Sequence, residues 1–208
     1  MKKFKLLDEC RILPDGSKVY RIEALKDFGF VKKGDLGGFV QSEENLSHEG
    51  NAWVAGNACV SGNAWVSGKA WVFGKALVCG NAWVTGNAWV FGKALVCENA
   101  CVSGNASVFG HARIEGDAFV CDNAYVSGRA KVSGDALVCD RARVYGNAWV
   151  CEHARIEGDA WVSEHARVYG NAYITGNAYV CEDARLEGDA YVSGSTCMCS
   201  YANVYTHR

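Results

Sequence analysis

The sequence predicts an all-β solenoid, and three observations carry that prediction. From Val54 to Val204 every sixth residue is Val, Ile, Leu or Met, with no slip of the period. Ala stands two residues before that aliphatic at every repeat except Thr196. Between the Ala-x-Val units sit Gly-Asn, Gly-Lys, Gly-Asp and Gly-His, pairs suited to sharp corners and positive φ.

Each Ala-x-Val is read as a very short strand. Residues two apart in extended backbone point the same way, so Ala and Val share the inner side and the residues flanking Val point outward. The outward positions hold Trp, Arg, Glu, Ser and Tyr, whereas the inner ones hardly vary, which implies a narrow and uniform interior. A six-residue unit cannot fold alone, so the repeats must stack and bury their faces on one another. Glu98, Asp122, Asp140, Glu152, Glu164 and Glu182 stand where other corners have Gly, so the corner is expected not to demand Gly at every turn.

Residues 1–50 lack the period and read as a separate N-terminal module, followed by the repeat over residues 51–208. Within the module, CRIL-PDGS-KVYRIEAL reads as a hairpin around Pro14-Asp15-Gly16. An open coil presents unpaired strand edges, and this module is expected to cap the N-terminal one.

The hexads resemble the bacterial hexapeptide-repeat family, whose [LIV]-x-G-x-A-x units form a left-handed parallel β-helix with three hexads in each triangular coil. The resemblance covers residues 51–208, and left-handedness is implied by it alone, since parallel crossovers are in general right-handed. It also implies 18 residues per coil. The outward residues carry the same period independently: Trp53, Trp71 and Trp89 are 18 apart, as are Phe73, Phe91 and Phe109. A triangular prism of about nine coils, roughly 40 Å long at ~4.8 Å per coil, follows. The stretch KKGDLGGFVQSEENLSHEG is similar to the opening of uncharacterised hexapeptide-repeat proteins of bacteria and their phages, some labelled as acyltransferases or polymer-forming proteins.

Composition bounds the function. The 208 residues are 50% hydrophobic, enough for a packed domain, and the net charge of −2 argues against a bulk nucleic-acid binder. No apolar run reaches the roughly 20 residues of a membrane span, and MKKFKLLDECRIL does not read as a secretory signal, so a cytoplasmic protein without a membrane partner is expected. Eleven Cys then read as reduced thiols, and neighbouring parallel strands are expected to hold Cys in poor geometry for a disulfide. Cys197 and Cys199 beside Cys181 bring three thiols together, a conceivable soft-metal site, but without CxxC spacing or a converging His, packing is the preferred reading and no metal or cofactor is expected.

Acyltransferases of the hexapeptide family are trimers that use a catalytic His and bind the acyl donor between adjacent prisms, usually with an extruded loop. Here the hexads carry no insertion, and His111, His153 and His165 occupy scattered corner positions. No catalytic residue is therefore assigned, although acyl transfer from an acyl-CoA stays as the alternative activity. Thr85 and Thr175 are too few for an ice-binding array.

Sorting outward residues by the coil separates three faces. The first carries Trp53, Trp71, Phe73, Trp89, Phe91, Phe109, Tyr125, Tyr145, Trp161 and Tyr179, and reads as the interface of a homo-oligomer, a trimer by the resemblance. The second mixes Arg113, Glu115, Lys131, Arg167, Arg185 and Glu187 with Leu77 and Leu95, and the third carries Trp65, Trp83, Phe119, Tyr173 and Tyr191 beside Ser and Thr. On one corner Lys75, Lys93, His111 and Arg129 succeed one another, with Arg113 and Lys131 on the adjoining face. Stacked like charges repel, so Glu115 and solvent relieve them or an anionic small molecule binds there, a nucleotide or other phosphorylated signal held as by a sponge. The leading expectation is a non-catalytic, self-associating β-helix whose outer faces bind a partner, encoded by a phage or prophage.

Overall fold

The computed structural model describes residues 2–199 and 202–206. Its regular structure is strand, apart from one 3-10 turn at Glu43–Asn45. The repeat expected to run to residue 208 is therefore described to residue 206, without residues 200 and 201.

The chain opens with β1 (Phe4–Ile12) and β2 (Lys18–Ala24), which pair antiparallel. Their turn closes where the Leu13 amide donates to the Ser17 carbonyl at 2.9 Å and the Asp15 carboxylate accepts from the Ser17 amide at 2.9 Å. β3 (Leu36–Val40) pairs antiparallel with β2 on one side and parallel with Cys59–Val60 on the other. The opening strands thus continue one sheet of the solenoid. That approach is close: a Cβ on Gly37 would collide with Ile22 Cγ1 and lie 2.7 Å from the Trp53 ring. Glycine is what lets β3 lie on the first coil.

After β3 the Ala-x-Val units form two-residue strands in three parallel sheets, each strand pairing with those 18 residues away, as in Val54↔Val72 and Val126↔Val144. Face I is nine-stranded, from Trp53–Val54 to Cys197–Met198. Face II is twelve-stranded, from β1 to Asn203–Thr206, and face III is eight-stranded, from Trp65–Val66 to Tyr191–Val192. The result is a parallel β-solenoid with about nine turns and three sheets, as the hexad period predicts.

From Ala52 to Val180 the inner column is Ala and Val or Ile, with Ala124, Val126, Ala142 and Val144 fully buried. Most hexads send three backbone bonds to the next coil, for example from the Trp71, Phe73 and Lys75 amides to the Ala88, Val90 and Gly92 carbonyls at 2.9, 3.0 and 2.7 Å. These satisfy strands too short to stand alone.

The corner conformation is stricter than the sequence suggested. Glu98, Asp122, Asp140, Glu152, Glu164 and Glu182 adopt φ of 56–62°, the same left-handed region as the corner glycines. An L side chain there costs about 1–2 kcal/mol. At several of these corners the carboxylate offsets part of that cost by accepting an amide of the next coil: Gly116 N donates to Glu98 at 2.6 Å, Gly158 N to Asp140 at 2.9 Å, and Gly170 N to Glu152 at 2.8 Å.

Candidate interaction surfaces

Face I gathers the aromatics. Phe73, Phe91 and Phe109 stack at centroid spacings of 4.8 Å with interplanar angles of 3° and 4°, because the coil period places identical residues directly above one another. Trp89 packs edge-on against Phe73 at 5.9 Å and is 51% exposed. Further along, Arg143 lies over Trp161 at 4.8 Å and near Tyr125 at 5.9 Å, and the Tyr145 and Tyr179 hydroxyls meet at 3.3 Å. Trp71 is half-buried.

Trp53 corrects the sequence reading. Its spacing groups it with this face as an interface residue, yet it is only 2% exposed, edge-on to Phe28 at 5.3 Å and to Phe4 at 6.5 Å. Coil arithmetic gives its direction but not its cover, which comes from residues outside the repeat. The same segment adds a residue the sequence reading missed. Phe30, at the tip of a turn bridged by Phe28 and Val31, is 91% exposed and lines a cleft of about 270 Å³ with Trp71, Trp89 and Lys69.

Exposed aromatics are not confined to face I. Trp65 and Trp83 on face III pack edge-to-face at 5.6 Å, with Trp83 52% exposed, and Trp149 is exposed on face II. What distinguishes face I is continuity, with ring touching ring from Phe73 to Tyr125.

The three corners differ. Between faces II and III, Asn63, Asn81 and Asn99 form a ladder in which each side-chain amide donates to the next coil at 3.0, 2.9 and 2.8 Å, ending on Asp117. Between faces III and I, Asn87 donates to Asn105 at 2.9 Å and Asn105 to Asn123 at 3.1 Å. The equivalent slot between faces I and II holds Asn57, then Lys75, Lys93, His111 and Arg129. Among the described residues no hydrogen bond or ion pair engages those four side chains, all of them exposed. Arg113 and Lys131, expected to share this patch, are instead bound to Glu115, with Lys131 Nζ at 2.9 Å from its carboxylate. Burial works to raise the Glu115 carboxyl, but Lys131 and Arg113 hold it below its ordinary range. Sequence reasoning also missed Arg11, which donates from β1 to Asn57 Oδ1 at 2.8 Å at the head of the column.

The histidines do not converge. His111 and His165 stand three coils apart in one corner column, and His153 sits in another corner, 3.1 Å from Asp135.

The cysteines bring a second correction. Cys181 and Cys199 are joined by a disulfide, where neighbouring parallel strands were expected to prevent one. In-register stacking sets their Cα atoms 4.8 Å apart, inside the range a disulfide spans. Cys197 Sγ lies 3.2 Å from Cys199 Sγ, and with Cys181 and Cys199 bonded to each other only Cys197 of the three keeps a free thiol. Cys121, Asp122 and Cys139, and likewise Cys139, Asp140 and Glu157, bring donor atoms within 4.8 Å of one another. Their groups have other partners: Asp140 accepts from Gly158, and Glu157 accepts from Arg155 at 2.9 Å and from the Tyr173 hydroxyl at 2.5 Å. Burial pushes the Cys139 thiol up to about 11, which keeps it protonated and weakens it as a ligand.

A family model described as YdcK Beta solenoid repeat matches residues 138–152, which include Trp149–Val150 of face II and Arg143–Val144 of face I. No curated protein matches the chain. None of the described helices is long and apolar enough to cross a membrane.

Proposed function

We propose that this β-solenoid repeat protein is a non-catalytic scaffold that associates with copies of itself through face I, with prisms side by side. The observation that carries the reading is the unbroken aromatic run from Phe73 through Phe91 and Phe109 to Tyr125, with Trp71, Trp89 and the exposed Phe30 beside it. Contiguous exposed apolar surface on a folded protein commonly marks an interaction site, and aromatic residues are enriched at the centre of protein interfaces. A trimer is the number that the hexapeptide resemblance favours. The dispersed histidines weigh against acyl transfer, since a general base needs a nucleophile or substrate groove converging on it.

Light scattering tests the reading directly. The parent is expected as an oligomer and the Trp71→Glu/Phe91→Glu double variant as a monomer, because two desolvated carboxylates in the contact cost several kcal/mol per subunit. A monomeric parent, or an unchanged mass in the variant, would remove face I as the interface.

A further inference from the structure

The corner between faces I and II departs from the other two in a way that weakens the fold. Asn in its outer slot gives the other corners hydrogen bonds between coils, each of them stabilising. Here Lys75, Lys93, His111 and Arg129 forgo those bonds, and the Lys75 and Lys93 ammonium groups stack one coil apart with Arg129 two coils further on. On the adjoining face, by contrast, Glu115 neutralises the stacked Arg113 and Lys131. Along these four coils the corner offers no carboxylate, since the preceding slot is Gly74, Gly92, Gly110 and Gly128, whereas Glu164 and Glu182 take that slot further along the same corner. Three cations and a histidine in one column, with no carboxylate in the slot before any of them, form an arrangement that an external anion would complete.

We infer that this corner binds a linear polyphosphate chain laid along the prism axis. The column rises by about 4.8 Å per coil, so Lys75 and Arg129 stand about 14 Å apart. An extended acidic peptide repeats its same-side carboxylates at roughly 6.6–6.8 Å and runs out of step with that rise. A polyphosphate carries charge at every link and needs no register, and Lys and Arg are the side chains that hold phosphate best. The Phe73, Phe91 and Phe109 stack runs beside the column, each ring two residues before a cation or His111. Because those rings cover one another's faces, they leave edges, which carry the positive end of the aromatic quadrupole and suit an anion. The middle ring, Phe91, is covered on both faces, so the stack offers no successive platforms for nucleobases, which sets a phosphate chain apart from a single-stranded nucleic acid.

The shared chemistry, a run of linked phosphates, occurs both in free polyphosphate and in the tail of a nucleoside triphosphate. Calorimetry at low ionic strength separates these sources, using orthophosphate, tripolyphosphate, long-chain polyphosphate, ATP and a single-stranded oligonucleotide as probes. Affinity is expected to rise with phosphate chain length, with ATP binding no tighter than tripolyphosphate, and to fall as salt is added. The Lys75→Asn/Lys93→Asn/Arg129→Asn variant restores the residue of the other corners, so it is expected to melt no lower than the parent while binding long-chain polyphosphate about a hundredfold more weakly, roughly fivefold per cation. ATP binding far tighter than tripolyphosphate would assign the site to a nucleotide instead. No binding of long-chain polyphosphate at low salt, unchanged binding by the triple variant, or an oligonucleotide that binds more tightly at equal phosphate concentration would each overturn the proposal. So would a triple variant that melts well below the parent, because the cations would then be structural. This proposal does not rest on self-association, and light scattering of the same samples reports on face I separately.

Discussion

The junction beneath the N-terminal strands and the middle of the prism are both dry, yet they are filled on opposite principles. At mid-prism the interior is a column of Ala, Val and Ile in which any coil substitutes for any other. At the junction each side chain is singular. Phe4, Ile22, Leu46 and Trp53 fill the space, the Asn45 amide donates to the Gly62 and Ala64 carbonyls at 2.9 Å, and the buried Lys3 ammonium donates to the Ala52 carbonyl at 2.8 Å. The difference teaches where specificity resides in a repeat protein. Backbone ladders hold the coils, while the end is closed by unrepeated residues that satisfy the first coil's free carbonyls.

Substitutions can break this contrast, the largest effect coming from the uniform region. Val126 is fully buried with coils on both sides, so Val126→Asp places an unpaired carboxylate in an apolar column at a cost of about 5 kcal/mol or more. Thermal unfolding should show loss of the folded state at 37 °C or a steep drop in melting temperature; a melt within a few degrees of the parent would mean that the inward register is wrong. Trp53→Ala should cost about 3–5 kcal/mol. Its effect should be local, releasing β1–β3 from the first coil, and hydrogen exchange should show deprotection of residues 2–50 while mid-prism amides stay protected. Uniform deprotection would show that junction and prism form one cooperative unit.

The smallest effect is pH-dependent. Burial, with the charge of Lys26 second, lowers the Lys3 ammonium from 10.5 to about 8. Its folded-state pKa lies below the unfolded one, so the unfolded chain binds more protons between those values and the Lys3 contribution to stability grows as pH rises from about 8 to 10.5. Below pH 8 the penalty of the buried charge is fully present. Lys3→Met should abolish that rise, so parent-minus-variant stability should climb by up to about 3 kcal/mol across the window. A flat difference would mean that Lys3 keeps its ordinary affinity for the proton. The comparison with the variant is needed because burial raises the Cys121 and Cys139 thiols, whose ionisation destabilises the fold at high pH in both proteins.

The same contrast explains what was legible in the sequence. Period and residue type determine the interior, because a two-residue strand leaves only one inward pattern, and the stacked Phe73, Phe91 and Phe109 followed from spacing alone. Trp53 did not, since its neighbours Phe4 and Phe28 come from outside the repeat. Arg11 was missed for the same reason, reaching Asn57 from β1. The pairing of Arg113 and Lys131 with Glu115 was half legible, as one coil of vertical offset and two residues along a strand are predictable neighbours. The Cys181–Cys199 bond was misjudged because strand direction was weighed above the in-register 4.8 Å approach that stacking imposes.

The uninterrupted register of these coils has a further consequence, in the currency of length. Because each pairing is with the residue 18 positions away, duplicating or excising any 18 residues inside the prism would shift all that follows by one rise, roughly 4.8 Å, and leave every inner contact chemically the same. The chain is in this sense graduated like a measuring rod. Tandem duplication would stretch the cationic edge or the aromatic strip by whole divisions, and a family of such proteins would be expected to differ in length by discrete steps of one coil.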